Sequence, residues 1–283
     1  MAKKDYFINQ TVLVTGASTG IGRCVALDYA RQGADLVLAA RSVDKLESLA
    51  REIESLGRKA IVLPADLSQR GQAAKLIDRA LETAGRIDIL VNNAGIGYVE
   101  IVPDLDLEKA REMFEINFWS VVEATKRILP HMVQRNSGQI INVSSIAGKR
   151  AFPSSSMYNA SKFALEAFSE SLRVELYRTG IKVISICPSV TETPFFEHPY
   201  VKGGPFREDV HSVPAMTPEA VSKALIRASR KGKRDVHLTL LGWAAVRLNP
   251  LIPRILDWVA FRMRGEKVAR RYEEIRQSKN EVE

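Results

Sequence analysis

Only two cysteines occur in the 283 residues, Cys24 and Cys187, far apart and without Cys-x-x-Cys spacing. That excludes a disulfide framework or a thiolate zinc motif, and predicts two free thiols in a reducing compartment. The four histidines (His131, His198, His211 and His237) show no i, i+4 pairing and no companion carboxylate spacing, so no metal site is expected. Long uninterrupted apolar runs are missing too. The most apolar stretch, 240–263, is broken by Arg247, Pro250, Pro253, Arg254 and Asp257, which makes it a poor spanning helix. The opening residues MAKKDYFINQ lack the apolar core of a secretory signal, so a cytoplasmic protein is expected.

What is present is ordinary in bulk, with 46% hydrophobic and 26% charged residues, and suits a soluble globular chain. Six short runs punctuate the first 190 residues: TVLVT (11–15), DLVLAA (35–40), KAIVLP (59–64), IDILVN (87–92), QIINVS (139–144) and KVISIC (182–187). Each is apolar at successive positions, the pattern of a strand buried on both faces of a parallel sheet. Amphipathic segments separate them. In 43–56, Leu46, Leu49, Ile53 and Leu56 form a stripe at helical spacing, and Gly57 is placed to end that helix. The alternation predicts an α/β fold: a doubly wound, mostly parallel, Rossmann-like sheet of about seven strands. Segment 188–218, with six prolines, reads as a long irregular excursion of the kind that covers a site. A helix near 218–230 and a short strand near 235–240 complete the sheet. The expected organisation is one catalytic domain over 1–240, including loop 188–218, followed by an extension over 241–283.

The first strand runs directly into TGASTGIG and a helix. Gly16, Gly20 and Gly22, with Ser18, Thr19 and Ile21 between and beside them, suit a turn that brings a diphosphate to the helix N-terminus. A glycine trio alone also suits a plain turn; its place after the first strand favours the dinucleotide. The second strand ends in Ala39-Ala40-Arg41-Ser42. An NAD-selecting site needs an acid there, whereas Arg41 can meet a 2′-phosphate, which points to NADP. Asp66 and Leu67 follow the third strand, where an adenine would sit, and Asn93, Ala94 and Gly95 follow the fourth. Tyr158 and Lys162 stand four apart in YNASK on a predicted helix, hence on one face. A neighbouring ammonium is expected to lower the tyrosine pKa from about 10 and fit it for proton exchange.

Together the TGxxxGIG turn, the NNAG run, a serine thirteen residues before the tyrosine, and YxxxK resemble the short-chain dehydrogenase/reductase family over about residues 8–240. The resemblance implies Tyr158 as general acid/base, Lys162 as its modulator and ribose holder, and Ser145 as the donor to the substrate oxygen. Ser144 is the rival serine; the interval selects Ser145. Asn117, in FEINFWS, matches the family asparagine that anchors a relay water. Pro188, Thr191 and Thr193 match the segment beside the nicotinamide, although Ser189 replaces the usual glycine and Thr191 the usual valine or isoleucine. A homodimer or homotetramer is implied as well.

The implied activity is hydride transfer between NADP(H) and a carbonyl or secondary alcohol. Phe195, Phe196, Tyr200 and Phe206 suggest a lipophilic substrate: steroid-like, retinoid-like or acyl-chain. The alternatives are a 3-oxoacyl thioester or sugar reductase, or a non-catalytic NADP-binding sensor or scaffold. Charge is uneven. Between Lys223 and Arg271 thirteen Lys or Arg face only Asp235, Asp257 and Glu266, more than accounting for the chain's net +8. Two readings of the extension stay open: peripheral membrane contact through 241–271, or packing over the pocket or a sister subunit. Nucleic acid is not an expected partner, because these cations interleave with aliphatics, not stacking platforms.

Overall fold

The structure is a computed structural model and describes residues 6–202 and 215–280. Among them, seven parallel strands form one sheet: β1 (Thr11–Thr15), β2 (Asp35–Ala39), β3 (Ala60–Val62), β4 (Ile89–Asn92), β5 (Gly138–Val143), β6 (Ile181–Cys187) and β7 (Asp235–His237). Their spatial order is β3-β2-β1-β4-β5-β6-β7. The chain reverses direction across the sheet between β1 and β4, and that switch leaves a crevice at the strands' carboxyl ends.

Burial explains the continuous apolar runs. In β2, Leu36 and Leu38 join the core on one face, while Val37 and Ala39 join the core on the other. Val12 and Val14 oppose Leu13 in the same way, and Ile89 and Val91 oppose Leu90. Helices cover both faces, so every position is dry. The flanking helices are α1 (Gly20–Ala30), α2 (Val43–Ser55), α3 (Gln72–Ala84), α4 (Leu107–Phe114), α5 (Ser120–Gln134) and α6 (Ser156–Glu175). Helix α2 stops where expected, with Gly57 at φ +75° in the left-handed region.

Several expected boundaries shift. The third run yields only Ala60–Val62, and the last strand stops at His237 because the backbone turns into a helix at Leu240. Loop 188–218 is not wholly irregular. A 3₁₀ turn spans Pro194–Glu197, a short α7 spans Pro199–Lys202, and α8 (Pro218–Lys231) follows with Thr217 capping its first turn. Phe206 and His211 lie outside the described residues. The apolar segment 240–263 folds as α9 (Leu240–Leu248) and α10 (Pro253–Ala260), split at the two prolines. The polar tail continues as α11 (Glu266–Asn280).

Leu38 is fully buried and packs in the cluster shared with Ile184 and Val14. Leu38→Ala should therefore lower unfolding stability by about 2–5 kcal/mol, read by urea denaturation, because the surrounding sheet cannot collapse into the gap.

Candidate active site

The glycine turn is built by contact as much as by conformation. Gly16 (φ +64°) and Gly20 (φ +55°) occupy left-handed backbone that favours glycine. At Gly22, a Cβ would lie 2.2 Å from the Gly16 carbonyl oxygen, so the close crossing of the turn over α1 admits no side chain. Ser18, Thr19 and Ile21 are part-buried in the same turn. Thr19, the residue before α1, makes no capping hydrogen bond, which leaves the helix's first amides for an anion.

Asn93 fastens this turn to the end of β4. Its Nδ2 donates to the carbonyls of Thr15 (2.9 Å) and Gly16 (3.2 Å). Thr15 Oγ1 in turn accepts from the amides of Asn93 (3.0 Å) and Ala94 (3.1 Å). Thr15 is a contributor the sequence reading did not single out, because within TVLVT it reads as one more strand residue. Thr193 closes the turn from the other side, its Cγ2 lying 2.9 Å from where a Gly20 Cβ would be.

A second cluster lies beyond Gly95, where a Cβ would sit 3.1 Å from Asn117 Oδ1 and 3.6 Å from Lys162 Nζ. Asn117 is fully buried. Its Oδ1 accepts from the Ile96 amide, and its Nδ2 donates to the Ile96 carbonyl and to Ser161 Oγ. It sits in a π-helical turn, Glu115–Trp119, where the Ser120 amide reaches back five residues to the Glu115 carbonyl. Such bulges rotate a side chain away from the regular helical stripe and are frequent at functional sites. Lys162 Nζ donates to the Val143 carbonyl at the end of β5 (3.1 Å) and lies 5.9 Å from the centre of the Tyr158 ring. Lysine and tyrosine thus share one face of α6, and Ser145 follows directly from β5.

The electrostatics differ from the sequence expectation. Burial pushes the Tyr158 phenol up to about 12, and hydrogen bonding with Ser145 opposes it only in part. Burial likewise pulls Lys162 down to about 8, against the attraction of Glu166. The ammonium does not make the phenol acidic in the protein by itself, because desolvation penalises both charges at once. Glu166, one helical turn beyond Lys162, is also buried. Burial would raise its carboxyl, but hydrogen bonds from Lys149 and Ser185 outweigh that and hold it below the ordinary range. Ser185 Oγ donates to Glu166 Oε1 at 2.5 Å, and Lys149 Nζ lies 2.8 Å from Oε2.

The other expected residues spread along the same carboxyl edge. Arg41, at the end of β2, is exposed, with no hydrogen bond or ion pair among the described residues. Its charge reaches His198, whose imidazole is lowered first by burial and then by Arg41. Asp66 Oδ1 accepts from the Ser68 amide and hydroxyl, so its carboxylate is tied into a local turn. Leu67 is buried in the core. Pro188 offers its carbonyl to the Ile146 amide (2.9 Å), next to Ser145. Thr191 is buried, pairs with Met216, and donates to the Ser189 carbonyl, so a hydroxyl takes the place of the usual apolar side chain at no cost in unpaired polar groups. Phe195 packs edge-on against Tyr158, ring centres 5.8 Å apart.

Known proteins share this plan. A family model described as short chain dehydrogenase matches residues 10–200. A protein of Sesamum indicum called 11-beta-hydroxysteroid dehydrogenase A is 34% identical over 262 residues, covering 88% of this chain and 74% of its own length. A short-chain dehydrogenase from Sphingobium yanoikuyae, solved in complex with NADPH, superposes with a TM-score of 0.76 at 28% identity, over 89% of this chain and 95% of that one. A short chain dehydrogenase/reductase from Burkholderia phymatum, solved with NAD, has a TM-score of 0.81 at 24% identity, over 89% and 96%, a likeness of fold.

The folded lysine pKa lies below its ordinary value of 10.5, so the charge penalty is fully present below about pH 8 and fades as pH rises towards 10.5. The stability of Lys162→Met relative to wild type should accordingly fall by on the order of 2–3 kcal/mol between pH 7 and pH 10.5, measured by chemical denaturation. A difference independent of pH would contradict the depressed lysine.

Proposed function

The chain belongs to the short-chain dehydrogenase/reductase family of oxidoreductases, and on that premise we propose that it transfers hydride between NADP(H) and a carbonyl or secondary alcohol of a lipophilic molecule. The observation that carries the reading is the convergence of Tyr158, Lys162, Asn117 and Gly95 beside the switch-point crevice, within reach of the glycine turn. Mere binding of a nucleotide requires no such pairing of a half-buried tyrosine with a buried lysine, which disfavours a sensor or scaffold.

The residues present suit a dinucleotide. Uncapped amides at the start of α1 suit the diphosphate, and the exposed guanidinium of Arg41, without an ion pair among the described residues, suits a 2′-phosphate. That second fit supports NADP over NAD. In the reading offered here, Gly16, Ser18, Thr19, Gly20, Ile21 and Gly22 line the diphosphate, Asp66 and Leu67 border the adenine, and Asn93, Ala94, Gly95, Pro188, Thr191 and Thr193 flank the nicotinamide half. When bound, the nicotinamide supplies or accepts the hydride.

The side chains of this chain handle the proton. Ser145 donates to the substrate oxygen, and Tyr158 gives its phenolic proton to that oxygen during reduction or takes one during oxidation. A phenol held at about 12 is protonated at neutral pH, which suits the reductive direction. Lys162 lies near enough to stabilise the phenolate left behind, and Asn117, held by the Ile96 backbone, would anchor the water that returns a proton to it. Phe195 and Tyr200 present aromatic surface to a lipophilic substrate. We read 1–240 as one catalytic domain and 241–283 as an extension to it, and a homodimer or homotetramer as the assembly. Trp119 and Phe163, exposed before α5 and on α6, offer apolar surface for that association.

Tyr158→Phe should lower turnover by about 10²–10⁴-fold with NADPH affinity little changed, measured by NADPH oxidation and by fluorescence titration. Activity at the wild-type level would end the mechanism. Arg41→Ala should weaken NADPH binding by roughly 10–100-fold while sparing NADH. Wild-type preference for NADH would overturn the cofactor assignment.

A further inference from the structure

Helix α10 is apolar on the side it turns away from the body as well as on the side it turns towards it. Its inward side carries the part-buried Leu256 and Ala260, and the exposed Asp257 at its edge pairs with Arg150 of the loop after β5 (2.6 Å). Its outward side carries Ile255, Trp258 and Val259 at i, i+3, i+4 spacing. Trp258 is 60% exposed and Ile255 56%, and Leu251, at the joint between α9 and α10, is 75% exposed. Trp243 and Leu248 extend the same exposure along α9. A helix with a satisfied inner face and an apolar outer face is missing a partner there.

Charge decides what the partner is. Exposed Arg247, Arg254 and Arg262 stand among these side chains, with Arg247 over the Trp243 ring (5.9 Å) and Arg262 over the Trp258 ring (5.6 Å). The acid on α10, Asp257, is engaged by Arg150. Arg262 also reaches Glu266 (3.3 Å), but Arg247 and Arg254 have no such acid among the described residues, and a two-fold contact with a second copy would set them against their own counterparts. Aromatic rings at the level of cations, next to deeper aliphatics, match the layered chemistry of a lipid interface. Among the described residues no helix is long and apolar enough to cross a membrane, so the contact would be made from one side.

We propose that α9 and α10 dock this protein on a bilayer surface carrying anionic headgroups, with Leu251, Ile255 and Trp258 entering the acyl boundary and Arg247, Arg254 and Arg262 meeting the headgroups. The extension would then sit with the membrane on one side and the catalytic loop on the other. Asp257 holds Arg150, and a Cβ at Gly242 would lie 2.6 Å from Ile146, the neighbour of Ser145. This inference is independent of the redox reading.

Co-sedimentation of the full chain with sucrose-loaded vesicles of phosphatidylcholine, with or without phosphatidylserine, tests it. At low salt, wild type should partition at least about tenfold more strongly onto the phosphatidylserine vesicles, and added salt should erase the difference. The triple variant Leu251→Ser, Ile255→Ser, Trp258→Ser should lose binding to both. The double variant Arg254→Glu, Arg262→Glu should lose the preference for phosphatidylserine. Both variants should keep the wild-type melting temperature and NADPH oxidation rate, which separates failure here from failure of the enzymatic reading. The proposal is overturned if wild type stays in the supernatant or if the triple variant pellets as well as wild type. It is overturned equally if, without vesicles, the triple variant sediments as a smaller species than wild type, since a second copy would then own the surface.

Discussion

The ends of β1 and β4 are held together by one asparagine, and the rest of the site depends on that clamp. Asn93 spends its side-chain amide on two consecutive carbonyls of the β1 turn, and Thr15 returns the connection through the amides of Asn93 and Ala94. With the turn fixed at hydrogen-bonding distance from β4, no side chain fits at Gly22, and the start of α1 is aimed into the crevice. The strand order makes this the one place where helices diverge to opposite faces of the sheet. Topology opens the crevice; the clamp sets its width.

Around that crevice the protein accumulates buried polar groups that would be costly if any partner were lost. Lys162 relies on the Val143 carbonyl, and Asn117 on the backbone of Ile96 and on Ser161. Glu166 relies on Ser185 and Lys149. The outcome for acidity is the reverse of what proximity alone suggests. At this depth, loss of water works against phenolate and ammonium together, and the phenol stays protonated near neutrality. A site of this kind favours giving a proton over taking one until further positive charge enters it.

The extension adds a different constraint. Attachments among the described residues that tie it to the body include the Arg150–Asp257 pair, the Arg271–Asp104 pair at 3.0 Å, and the seat of Gly242 against Ile146. Two of these engage the segment between Ser145 and Tyr158. Movement of α10 would therefore be felt in the loop that borders the reacting groups, and the groove between Phe152 and Val268 lies along that seam.

Much of this was legible in the amino-acid order. Runs such as DLVLA are apolar at every position only because both faces of a strand are covered, so the parallel sheet follows from local pattern alone. The TGASTGIG turn and YNASK declare themselves because their chemistry depends on neighbours four to seven residues apart, a distance a helix or tight turn fixes without help. Thr15, the π-helical setting of Asn117, the protonated state of Tyr158 and the outward apolar face of α10 were not legible. Each depends on what lies across a gap of many residues: Asn93 for Thr15, Ile96 for Asn117, desolvation by the assembled core for Tyr158, and Arg150 for Asp257. Sequence determined the elements and the order of the reactive groups; only the tertiary structure decided their burial, and burial sets the energy of every charge among them.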